Sequence, residues 1–180
     1  MSGIKYYTII VALLFSSAIF ADDAALLPDF SLKDMNGETV TLSEACSLGN
    51  VVLTFWATWC KPCVKELRKL HENKDYLDSL GITILAICED GPRTKAKVKP
   101  FVQNEGWEFV IVMDTGGGFK MSAGVADIPE FFILGKNREI FYRHVGYKPG
   151  DEVEYFEKFE EFFPVVIEDV ENTEEGEIEE

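Results

Sequence analysis

Val51-Val52-Leu53-Thr54-Phe55-Trp56-Ala57-Thr58-Trp59-Cys60-Lys61-Pro62-Cys63-Val64 is the stretch whose reading decides the fold. Val51–Phe55 is an apolar run of strand length, the pattern of a central strand covered on both faces. From about Lys61 the period changes. Val64, Leu67, Leu70, Leu77 and Leu80 fall at three- and four-residue spacings or their multiples, which is helical, and Gly81 suits a helix stop. A C-x-x-C pair thus sits where a buried strand gives way to a helix.

That placement carries chemistry. The first turn of a helix offers unpaired N–H groups and the positive end of the dipole, so a sulfur at Cys60 is favoured as an anion. Lys61 adds a nearby positive charge, and Pro62 suits the first turn because its missing N–H is not needed there. Cys63, one turn on, is placed to close a disulfide with Cys60 from a more buried position. The expectation is that Cys60 attacks a disulfide and Cys63 resolves the mixed disulfide. The bare C-x-x-C also admits half of a zinc site or a static disulfide. A second pair of zinc ligands is not visible, since His71 and His144 stand apart and read as ordinary helix and strand residues.

Working outward, Phe30–Leu32 and Thr39–Leu42 read as short strands around Met35-Asn36-Gly37-Glu38. The Asn-Gly pair there signals a hairpin with positive φ at both residues. After the helix, Ile82–Cys88 and Phe109–Met113 are further buried strands, separated by a helical stretch over Arg93–Gln103 in which Pro100 limits where regular turns begin. A short helix is expected over Phe119–Gly124. Phe131–Leu134 and Glu139–Val145 flank Gly135-Lys136-Asn137-Arg138 as a second hairpin. Glu152–Phe163 places Val153, Phe156, Phe159 and Phe163 on one face of an amphipathic helix that Pro164 closes. Strands alternating with helices, then a hairpin and a last helix, give an α/β fold with a mixed central β-sheet and helices on both faces.

The net charge of −15 is unevenly placed: residues 151–180 hold 14 acids against one base, while residues 1–150 come to only −2. A body this close to neutral excludes the positive field that nucleic-acid binding needs. Residues 168–180, with eight acids and no base, read as a disordered acidic tail. At the other end, Lys5, the uncharged apolar run Tyr6–Phe20 and the small residues up to Ala21 have the order of an export signal over residues 1–21. An uncleaved anchor is the alternative, although the run is shorter than the roughly 20 residues needed to span a bilayer. The body is then residues 22–167. Cys46 and Cys88 stand alone in sequence. Cys88 reads as a buried thiol, and a Cys46–Cys88 disulfide is the other option in an exported protein. Arg93, Lys95, Lys97 and Lys99 form a basic run that reads as a solvated face.

The segment Phe55–Cys63 resembles the active-site segment of TlpA/ResA-type thioredoxin-like proteins. Pro28-Asp29-Phe30-Ser31-Leu32 with Gly37 is similar to that family's opening hairpin. Ile128-Pro129 falls where thioredoxin folds carry a cis-proline, and Phe131–Leu134, Gly135 and Arg143-His144-Val145-Gly146 also fit. The resemblance covers roughly residues 28–163. It implies a thioredoxin-like fold with an N-terminal β-hairpin extension, and disulfide exchange, often the reduction of substrates outside the cytoplasm.

Further roles follow from the resemblance. Pro129, if cis, would lie beside Cys60, so that the backbone of Ile128 pairs with an extended substrate; Trp59, Lys61 and Pro62 complete the substrate rim. Glu66 stands where the family has a buried carboxylate near the resolving thiol, able to take its proton. Cytoplasmic thioredoxins use an aspartate on the preceding strand, and the equivalent position here is Thr54. Two positions depart from the pattern: Arg68 replaces a helix-kinking proline, and Glu130 replaces the threonine after the cis-proline, where a carboxylate would disfavour the Cys60 thiolate or select basic substrates. A peroxidase would want threonine and proline where Ala57 and Leu53 stand. The expectation is an exported, monomeric thiol–disulfide oxidoreductase, in the bacterial periplasm or at the outer face of the cytoplasmic membrane, with no cofactor and no metal. It would act on protein disulfides or dithiols and be re-reduced by a membrane thiol carrier. A disulfide-forming oxidase or isomerase, and a non-catalytic binding module, are the alternatives.

Overall fold

A computed structural model describes residues 25–164 of the chain. The expected export segment 1–21 and acidic tail 168–180 lie outside the described residues. In chain order the elements are β1 (Ser31–Asp34), β2 (Thr39–Thr41), α1 (Leu42–Leu48), β3 (Asn50–Trp56), α2 (Lys61–Glu72), α3 (Lys74–Ser79), β4 (Ile82–Cys88), α4 (Val98–Glu105), β5 (Val110–Met113), α5 (Gly118–Ser122), β6 (Glu130–Leu134), β7 (Ile140–Val145) and α6 (Asp151–Phe162).

The strands form one sheet in the order β2-β1-β5-β4-β3-β6-β7. β3, β4 and β5 run parallel, as strands joined through helices must, and β6 and β7 continue antiparallel. The N-terminal hairpin β1–β2 adds to the far edge through antiparallel pairing of β1 with β5. Alternation sorts β3 between two cores. Val52 and Trp56 face a cluster built with α2, α3, α4 and α6, while Val51, Leu53 and Phe55 face one built with α1 and α5. The mixed sheet with helices on both faces is therefore present, with the hairpin extension.

Local differences have local causes. The segment after β2 turns helical at Leu42 rather than staying extended; α1 buries only Leu42 and Cys46, one turn apart. The helix from Lys61 breaks at Asn73, whose side-chain amide donates to the Lys69 carbonyl at 2.9 Å and competes with the helical ladder. The stretch before α4 is a single 3₁₀ turn over Lys95–Lys97. In the first hairpin only Gly37 has positive φ, at 92°. Asn36 does not need it, because Asp34 Oδ1 accepts from the N–H groups of both Asn36 and Glu38 at 2.8 Å and closes the turn from its side chain.

Candidate active site

Cys60 is the N-cap of α2, and Cys63 lies in the first turn of that helix. The two are joined as a disulfide with their Cα atoms 5.3 Å apart. The pair is unequal: Cys60 is 6% exposed and Cys63 is fully buried. The N–H of Cys63 points at Cys60 Sγ from 3.3 Å, so the helix start offers a donor to that sulfur. Lys61 and Pro62 are exposed, and Trp59 stands 62% exposed beside them. Trp56, by contrast, is buried in the core against Trp107 and Phe101.

The turn that delivers Cys60 is anchored from the neighbouring strand. Asp90, fully buried just past β4, accepts from the Thr58 N–H at 2.7 Å and the Thr58 hydroxyl at 2.8 Å. The Cys60 N–H then closes the turn on the Ala57 carbonyl at 3.0 Å. Sequence reading did not single out Asp90. The signal was there: an acid two residues past a buried strand must find partners if it is carried inside.

The Ile128–Pro129 peptide bond is cis. The Ile128 carbonyl oxygen lies 3.8 Å from Cys60 Sγ, a contact rather than a hydrogen bond because the bonded sulfur carries no proton. The Pro129 carbonyl accepts from Gly146 N–H at 2.8 Å, tying this loop to the end of β7. Between them opens a groove of about 420 Å³, lined by Pro62, Ile128, Pro129, Val145, Tyr147 and Asp151, among others. The structure thus brings Cys60, Cys63, Pro62, Ile128 and Pro129 together.

Glu66 lies behind the pair, fully buried, one turn beyond Cys63 on the same helix. Thr54 on β3 donates its hydroxyl to Glu66 Oε2 at 2.6 Å, and Tyr155 on α6 donates to Oε1 at 3.0 Å. Burial pushes the Glu66 carboxyl up to about 7, against the pull of these two hydroxyls toward the ionised form. Tyr155 was not foreseen. Its partner is 89 residues away, and no periodicity reports such a pairing.

Other positions resolve differently from expectation. Glu130 is buried and ion-paired with Arg143, which also donates to the Gly124 carbonyl at 3.2 Å. It shares a sheet face with Phe132 rather than with Phe131, so it offers no free carboxylate to select basic substrates. Cys46 and Cys88 are both free thiols and sit in the cores on opposite faces of the sheet, so they do not pair. Arg68, in place of a proline, pairs with Glu105 on α4 at 2.6 Å. His144 contacts Asp151 at 3.3 Å and Tyr142 at 3.2 Å. Among the described residues, no cluster of three or more His, Cys, Asp or Glu could hold a metal ion.

Comparison with known proteins agrees with this geometry. The family model for the AhpC/TSA family matches residues 24–143. Thiol-disulfide oxidoreductase ResA of Bacillus cereus is 30% identical over 131 residues, covering 73% of this chain and 74% of the relative. Among solved structures, a proposed thiol:disulfide interchange protein DsbE from Chlorobium tepidum superposes with a TM-score of 0.67 at 28% identity, covering 77% of this chain and 94% of its own. A thioredoxin-like protein from Porphyromonas gingivalis gives 0.63 at 35% identity, covering 76% and 91%. The chain belongs to the AhpC/TSA family and is a thiol–disulfide oxidoreductase of thioredoxin-like fold, similar to ResA.

Proposed function

We propose that the protein reduces disulfides of other proteins outside the cytoplasm, as a monomer, with Cys60 as nucleophile, Cys63 as resolving thiol and Glu66 as proton acceptor. The observation that carries this reading is the unequal placing of the two sulfurs: Cys60, 6% exposed, touches the carbonyl of Ile128, a residue of the groove wall, while Cys63 is fully buried one helical turn before the buried Glu66. In the dithiol form, the Cys60 thiolate attacks one sulfur of the substrate disulfide. That S–S bond breaks, a mixed disulfide forms on Cys60, and one substrate thiolate leaves and takes a proton from water. Cys63 then gives its proton to the Glu66 carboxylate and attacks Cys60 Sγ. The second substrate thiolate leaves, and the Cys60–Cys63 disulfide remains. Two electrons have passed to the substrate, and a membrane thiol carrier restores the dithiol.

Substrate backbone is held in the groove beside Ile128, Pro129 and Pro62, with Trp59 and Lys61 at its rim. Export is read from the order of residues 1–21. The reducing direction is tested by equilibrating the protein against graded dithiothreitol buffers and counting free thiols. A two-electron transition below about −240 mV is expected for a reductant. A transition above about −180 mV would make the protein an oxidant or isomerase instead.

A further inference from the structure

We propose that Tyr155, carried by the last helix, is a positioning residue for exchange: its hydroxyl donates to Glu66, favours the carboxylate that receives the proton of Cys63, and so tunes the pH at which Cys63 resolves the mixed disulfide. The proposal rests on the reading of Glu66 as the proton acceptor and adds to it the part of the fold that controls that acceptor.

The geometry leaves Tyr155 little freedom. Its ring is fully buried and stacked on Phe131 at 4.1 Å with the planes 8° apart, and the rings of His144 and Tyr142 approach at 5.4 and 6.3 Å. The hydroxyl is thereby fixed 3.0 Å from Glu66 Oε1. Thr54 serves Oε2, so each carboxylate oxygen has one neutral donor, and among the described residues no other side chain donates to Oε1.

The charges facing the site do not replace these donors. Asp151, on α6 with Tyr155, raises the Glu66 pKa rather than lowering it. The Tyr147 hydroxyl, after β7, is turned to Glu152. Cys63, on the same helix as Glu66, is the proton donor of the step. His144 and Tyr142, on β7, face the Tyr155 ring. Two hydroxyls are thus what stabilises a negative charge at a fully buried position. Tyrosine suits the task because burial and the neighbouring Glu66 push its own pKa further up, so it stays a donor throughout the working range.

Removing the Tyr155 hydroxyl disfavours the carboxylate, so Glu66 binds its proton up to a higher pH and cannot receive the proton of Cys63 below it. The test mixes the reduced full-length protein with 5,5′-dithiobis(2-nitrobenzoate). Release of the first thionitrobenzoate reports attack by Cys60, and release of the second reports resolution by Cys63. In Tyr155→Phe the acid limb of the second step should move up by about one pH unit, a roughly tenfold slower step on that limb, with the alkaline plateau kept. Tyr155→3-fluorotyrosine keeps the ring and strengthens the donor, so its limb should move down. A general loosening of the core would not give opposite shifts. In a Glu66→Gln background neither change should move the profile further. Unshifted limbs in both Tyr155 variants, with Glu66→Gln still altering the profile, would overturn the proposal. A wild-type profile in Glu66→Gln would instead overturn the reading of Glu66 itself.

Discussion

Asp90 holds Thr58 twice, through the backbone N–H at 2.7 Å and through the side-chain hydroxyl at 2.8 Å. Thr58 lies inside the turn from Ala57 to Cys60, so a residue just past β4 fixes where the Cys60 sulfur stands. The Cys88 thiol donates at 3.4 Å to Asp90 Oδ2, the oxygen that accepts from the Thr58 N–H, which gives this lone cysteine a partner without a disulfide.

Asp90→Ala therefore strips three donors, the Thr58 N–H and hydroxyl and the Cys88 thiol, of their acceptor in a buried place. Urea unfolding should show a loss of about 2–3 kcal/mol. Insulin reduction should fall roughly tenfold while Cys60 and Cys63 still form their disulfide, because misplacing a reacting group slows a step without removing the group. Unchanged insulin reduction would mean that the turn holds its shape without Asp90.

The Glu130–Arg143 pair makes a second stability prediction. Arg143→Met leaves a carboxylate buried without its cation and should destabilise the domain by about 3 kcal/mol. The double variant Glu130→Gln with Arg143→Met should recover most of that, since it removes the uncompensated charge as well. Equal losses in the single and double variants would show that Arg143 acts through its packing over the Phe132 ring instead.

Glu66 links stability to pH. Its folded pKa of about 7 lies above the ordinary 4.5, so between those values the folded state keeps a proton that the unfolded state has lost. Stability from this group is thus full below about pH 4.5 and is lost as pH rises to about 7. Relative to wild type, Glu66→Gln should look better at about pH 8 than at about pH 4.5, by a few kcal/mol at most. Paired urea titrations at the two pH values read this difference; a constant difference would place the Glu66 pKa near its unfolded value.

The parts of the fold that sequence reveals are those with a period. β3, β4 and β5 stand out as buried runs, and α2 by its apolar spacing. The C-x-x-C is interpretable because it sits between two such elements. α1 escapes reading because seven residues with one buried pair carry too little pattern. The break at Asn73 is a contest between a side-chain amide and the helical ladder, and hydrophobic spacing is blind to it. The buried face of α6 carries Tyr155 with Phe159, while Val153, expected on that face, is exposed, and only the packing of α6 against α2 turns Tyr155 into a partner of Glu66. Glu130 needed Arg143, which comes from the next strand, before its charge could be judged.

The central claim is that Cys60 attacks and Cys63 resolves. Trapping tests it most directly. Cys63→Ser, incubated with a disulfide-bonded protein such as insulin, should accumulate a mixed disulfide through Cys60 that dithiothreitol releases. Cys60→Ser should accumulate none, because Cys63 is fully buried behind it. A mixed disulfide in Cys60→Ser, or none in Cys63→Ser, would contradict the account.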